Sequence, residues 1–160
     1  MKITAQPGAR YQALLELLRT SEALWNASRL FFARWDLSPS QFNILNLLSE
    51  VSDGWNQVEL SRHLIMHRSN ITGMVDRLEE RGLVRRRSLA NDRRTNRVVI
   101  TKSGLGLVRE ILPHYYTSAE AVWAGIPEAS VTAMVKQFTL LRHNLEGIAP
   151  AFASPATPSS

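Results

Sequence analysis

QVELSRHLIMHRSNITGMVDRLEERGLVRRRSLANDRRTNRVVIT, residues 57–101, decides the fold. Within it, Arg68–Gly82 carries Ile71, Met74, Val75 and Leu78 at the i, i+3, i+4, i+7 spacing of a single helical stripe. Gly82 suits the position just past a helix because it tolerates positive φ. The side opposite the stripe holds Ser69, Asn70, Thr72, Gly73, Asp76 and Arg77, with Arg68 at its start. Hydroxyls, an amide and arginines on a face of small residues suit a DNA major groove, where they meet base edges and phosphates. A merely solvated helix face has a similar composition. Gly73 inside the helix costs about 1 kcal/mol relative to alanine, so it either admits a DNA backbone closely or is a tolerated surface glycine.

Behind this helix, Leu83–Leu89 and Arg97–Thr101 have strand composition, and the turn-forming segment ANDRRTN separates them. The two strands form a basic hairpin. From Arg81 to Arg97 there are seven arginines, among them Arg86, Arg93 and Arg94, against the single acid Asp92, a local charge of +6 in a chain whose total is +5. Charge concentrated on one hairpin behind a polar-faced helix is the electrostatic footprint of phosphate binding. At the front, Asn56 and Glu59 have capping-box spacing and open a short helix over Gln57–Leu64, which would brace the second helix across the phosphate backbone.

The runs LSPSQFNILNLL (37–48), ELSRHLIMHRSNITGMVDRLEERGLVRRR (59–87) and NDRRTNRVVITKSG (91–104) resemble the MarR family of winged helix-turn-helix transcriptional regulators. The most specific match is Asp92-x-Arg94 followed by Val98 and Ile100-Thr101, the family's wing signature. The resemblance implies that Arg94 is the wing-tip arginine entering the minor groove and that Asp92 orients it. Narrow minor grooves attract an inserted arginine through their negative potential. One departure is His67 before the recognition helix, where the family usually has Ser or Thr.

Outward from this lobe, Leu37-Ser38-Pro39-Ser40-Gln41-Phe42 is a dense helix start: Ser38 caps, Pro39 takes the first helical position, and Gln41 closes a capping box. That helix is expected to run to about Val51. From Tyr11 to Arg34 the helical pattern is apolar on more than one side, which calls for cover on more than one side. Thr101 caps a long helix to about Ala124 with Pro113 inside it, and Pro127 opens a last amphipathic helix that Gly147 closes. The expected architecture is mainly α with a small β-hairpin wing, in one domain over 1–148: a DNA-binding lobe at 37–101, flanked by helices at 11–34 and 102–147. Residues 149–160, rich in Pro, Ala and Ser, read as a disordered tail. The resemblance makes the flanking helices dimerisation helices, so that two recognition helices face a pseudo-palindromic double-stranded operator.

With no cysteine, disulfides, thiolate metal sites and thiol redox sensing are excluded. Four histidines are scattered, and His63 and His67 lack a third ligand nearby. No phosphate loop or nucleophile elbow occurs, so neither an enzyme nor a cofactor is expected. No apolar stretch has the length of a membrane span and the start MKITAQPGAR has no signal-peptide core, so a cytoplasmic protein without membrane association is expected. The resemblance also implies a small aromatic or lipophilic effector. Trp25, Phe32, Trp35, Phe42, His114 and Tyr115 could line its pocket, with Arg29 or Arg34 available to a carboxylate; the alternative is that these aromatics are plain core and dimer packing. The regulator reading is of a ligand-released repressor. A winged-helix protein-interaction module without DNA binding is the alternative of a different class.

Overall fold

The computed structural model describes residues 8–64, 71–89 and 92–153, with the backbone alone at 88–89, 92–96 and 149–153. Helices α1 (Ala9–Ala33), α2 (Pro39–Ser49), α3 (Gln57–His63) and α4 (Ile71–Glu80) precede strands β1 (Val84–Leu89) and β2 (Asp92–Ile100), and α5 (Lys102–Val122) and α6 (Glu128–Ala153) follow. This is the expected mainly helical chain with one antiparallel hairpin.

Local chemistry sets the element ends. Ser38 Oγ accepts from Gln41 N at 3.2 Å while Gln41 Oε1 accepts from Ser38 N at 2.8 Å. Asn56 and Glu59 make the same reciprocal pair at 2.9 and 2.8 Å, starting α3. Each cap satisfies backbone donors that a helix start would otherwise leave unpaired. At the far end of α4, Gly82 N donates to Glu79 O at 2.8 Å and Leu83 N to Leu78 O at 2.9 Å. With Gly82 at φ 67, this is a Schellman stop. Thr101 Oγ1 accepts from Gly104 N at 3.1 Å and opens α5.

The lobe's core joins Ile44, Leu45 and Leu48 of α2, Leu60 of α3, the stripe of α4, Val84 and Val98 of the hairpin, and Val108 and Ile111 of α5. Each such side chain contributes about 1.5–3 kcal/mol by leaving water. Trp55 pairs with Val98 through backbone bonds of 3.0 and 2.7 Å, so the segment before α3 adds a short third rung to the hairpin. That approach requires glycine next door: Gly54 sits at φ 65, and a Cβ there would lie 2.1 Å from Val98 O.

Several boundaries differ from expectation. β2 begins at Asp92 and not at Arg97, because Arg97 and Asn96 pair with Arg87 and Ser88 before an irregularity lets Leu89 oppose Asp92. Ladder pairing prevails there over turn-forming composition. α2 ends at Ser49 and α5 at Val122, each two residues short of the expected end, while α5 runs through Pro113. α6 continues past Gly147 to Ala153. The glycines at positive φ are Gly54, Gly82 and Gly125, so Gly147 does not supply the left-handed turn that would stop a helix. The expected helical start at Arg68, with Ser69 and Asn70, lies outside the described residues. The chain divides into two compact units, residues 1–112 and 113–160. Among the described residues, no helix is long and apolar enough to cross a membrane.

Candidate nucleic-acid interface

The four stripe residues of α4, Ile71, Met74, Val75 and Leu78, are all buried. Burial of that stripe turns the opposite side outward: Thr72 and Arg77 are exposed, and Gly73 and Asp76 are half-buried. Thr72 Oγ1 donates to Gln57 Oε1 at 3.0 Å, tying the outer face of α4 to the first residue of α3. Gln57 carries no sequence signal for this role, since its partner lies fifteen residues away.

The structure separates the arginines of the +6 segment into two groups. Arg85 and Arg87 alternate with Arg86 along β1 and are exposed. Arg86 points the other way, toward α4, and its guanidinium donates to both Asp76 and Glu79. Its backbone N donates to Glu79 Oε1 at 2.7 Å. The hydrogen bond to Asp76 is the largest cause that raises the guanidinium above its ordinary pKa; burial opposes it, and the hydrogen bond to Glu79 adds to it. Asp76 and Arg86, both expected to face DNA, therefore face each other, and the pair fixes the hairpin against α4. Arg97 donates to Gly54 O at 2.7 Å and reaches Glu59 at 3.4 Å, locking β2 to the cap of α3. Arg81 donates to the carbonyl oxygens of Trp35 and Asp36. Charge counting could not make this separation, because every internal partner is contributed by another element. For Asp92, Arg93 and Arg94 the backbone lies in β2, and their side chains are outside the described residues.

The suggested effector residues have diverse surroundings. Phe32 and Phe42 are buried and stack on each other at 4.5 Å, as core residues do. Trp25 is half-buried and Arg29 exposed, both on α1. Trp35 is half-buried beside Phe31 at 5.3 Å, and its indole N–H donates to Glu110 Oε1 at 2.7 Å. His114 and Tyr115 lie on α5 beyond Pro113, in the second compact unit, and both are exposed. Glu110 and Gln57 are polar partners that sequence reasoning did not single out. Among the described residues there is no cluster of His, Asp and Glu suited to a metal.

A short bracing helix, a second helix with a buried stripe and a polar outer face, and an arginine-bearing hairpin behind them define a winged helix-turn-helix protein. A model of the MarR family matches residues 37–95 of the chain. The chain is 27% identical over 119 residues to the HTH-type transcriptional regulator PapX of Escherichia coli, covering 73% of each protein. Its fold is similar to that of Sco3205, a MarR family regulator from Streptomyces coelicolor solved in complex with DNA, with a TM-score of 0.78 and 19% identity over 91% of this chain and 93% of that one. It is likewise similar to CouR from Rhodococcus jostii RHA1 bound to p-coumaroyl-CoA, with a TM-score of 0.72 and 24% identity over 95% of this chain and 100% of that one. The matched family and the curated relative are transcriptional regulators and not enzymes.

Proposed function

We propose that this regulator is a homodimeric repressor that reads a pseudo-palindromic double-stranded operator and is released from it by a small aromatic or lipophilic effector. The observation that carries the DNA reading is the division of α4 into a buried stripe and an outward face bearing Thr72, Gly73 and Arg77, flanked by the exposed Arg85 and Arg87 of the hairpin. The helix enters the major groove. On this reading Arg68, Ser69 and Asn70 also contact the major groove, and Arg94, with Asp92 and Arg93, contacts the adjacent minor groove, as the family resemblance implies. Asp76 contributes by holding Arg86 and so the wing, because a carboxylate facing phosphates without such a cation would repel them.

The dimer is supported by apolar side chains that one chain leaves in water: Leu14 and Leu18 on α1 are 47% and 59% exposed, and Val135 and Phe138 on α6 are 59% and 46% exposed. Large apolar side chains exposed on one helix support its use as an interaction face. Two subunits related by a two-fold axis place their recognition helices in successive major grooves, about one helical turn apart. The binding of p-coumaroyl-CoA by CouR supports an aromatic effector, with Trp25 and Arg29 as residues to probe. Such a ligand acts only by preferring the conformation that binds DNA poorly.

The test is selection of duplexes from a randomised pool, followed by affinity measurements across a salt series. An inverted repeat should emerge, and log affinity should fall by roughly 0.9 per phosphate contact for each decade of salt. Failure to retain any duplex, or affinity indifferent to salt, would sink the DNA reading.

A further inference from the structure

A chain of hydrogen bonds crosses the lobe from α5 to the end of the recognition helix. Arg81 is the residue immediately after α4, inside the Schellman stop, where a cation also complements the negative end of the helix. Its guanidinium donates through Nη2 to Trp35 O at 3.0 Å and through Nη1 to Asp36 O at 2.5 Å. These consecutive carbonyls form the corner between α1 and α2, where Asp36 takes φ 53, a left-handed conformation that Asp adopts more readily than most non-glycine residues. The Asp36 carboxylate stands farther off at 3.8 Å and is 96% exposed, so the carbonyls and not the ion pair hold the arginine. At the same corner the Trp35 indole N–H donates to Glu110 Oε1 of α5 at 2.7 Å. The ring is fixed by Phe31 on one side and by the Arg34 guanidinium 4.8 Å from its centre.

We propose that Arg81 is a positioning residue for DNA recognition, and that the Glu110–Trp35–Arg81 chain transmits displacements of α1 and α5 to the recognition helix. This rests on the DNA-binding reading. The two arms of a planar guanidinium bind two peptide carbonyls whose orientation depends on the α1–α2 corner. A tilt of α1 or α5 moves Trp35, carries both carbonyls with it and turns the C-terminal end of α4. Arg81 therefore serves geometry and not phosphate contact, although it stands in the most basic segment of the chain.

Arg81→Lys separates the two roles, because lysine keeps the charge and the favourable helix-end interaction but cannot fork across two carbonyls. On a duplex selected by the wild-type protein, Arg81→Lys should weaken binding about tenfold to a hundredfold, as loss of a charged hydrogen bond predicts. The slope of log affinity against log salt should stay that of the wild type. Trp35→Phe, which keeps the ring and removes its N–H, should weaken binding in the same way, and the double variant should lose less than the product of the single losses. In nitrogen-labelled protein the Trp35 indole resonance, assigned by its loss in Trp35→Phe, should shift on adding the duplex and cease to do so in Arg81→Lys. Wild-type affinity in Arg81→Lys, a salt slope lowered by about 0.9 in Arg81→Gln, or an indole resonance unmoved by the duplex would each overturn the relay while DNA binding stands. A wild-type protein that retains no duplex would instead overturn the DNA reading and the relay's role in it together.

Discussion

α4 and α6 carry the same kind of pattern and meet opposite environments. In α4, Ile71, Met74, Val75 and Leu78 recur at helical spacing and are 0–8% exposed. In α6, Val135, Phe138 and Leu145 belong to a comparable stripe and are 59%, 46% and 47% exposed. Periodicity states that a helix has an apolar side; it does not state which molecule covers it. α4 finds its cover inside its own chain, so its polar face has a set direction before any partner arrives. The last helix is left with apolar surface in water, which the proposed second copy would bury.

The largest effect should come from the buried side of α4. Leu78→Ala is expected to cost about 2–5 kcal/mol, read as a lowered midpoint in chemical denaturation. A midpoint equal to that of the wild type would break the claim that α4 is fixed by its own lobe. On α6, Phe138→Glu should leave the helical signal in circular dichroism intact and weaken self-association by tenfold or more, about 1.4 kcal/mol or above, measured by sedimentation over a concentration series. If both proteins sediment as single chains, the exposed stripe is ordinary surface and the contrast dissolves.

The outer face of α4 gives a smaller and more selective effect. Arg77→Ala should relax preference at one base pair by about 1–3 kcal/mol in a duplex selection; equal weakening on every sequence would make Arg77 a phosphate contact. Smallest is the tie between α4 and the wing. Arg86→Gln should lower stability by about 1 kcal/mol, because the Arg86 side chain is 28% exposed and its partners Asp76 and Glu79 are 47% and 35% exposed, so solvent screens the pair. Thermal unfolding at low and high salt checks this, since the difference from wild type should shrink as salt rises. A difference that grows with salt would show that the pair is not an electrostatic brace.

Residues 38–101 already displayed the winged helix as sequence: two capping boxes, a four-residue stripe, Gly82 after it and strand-like segments behind it. All of these are short-range patterns, set by chemistry within about one helical turn or one strand repeat, and the structure reproduces them at Ser38–Gln41, Asn56–Glu59 and Gly82. The same locality explains the misses. Gly147 looked like a helix end, but a glycine stops a helix only when the chain turns left-handed there, and the chain does not. Asn96 looked like part of a turn, but β1 lay opposite it and claimed it as a strand residue.

Determined by the sequence itself were the order of elements, their caps, the buried side of α4 and the concentration of positive charge on the hairpin. Decided only in the tertiary structure was the use of each charge. Arg86 meets Asp76 ten residues away, Arg97 meets Gly54 at a separation of 43, and Trp35 meets Glu110 at 75. Caps and stripes depend on neighbours the chain supplies locally, whereas an arginine on a hairpin becomes a brace, a relay or a DNA contact according to which carboxylate or carbonyl folding brings within hydrogen-bond reach.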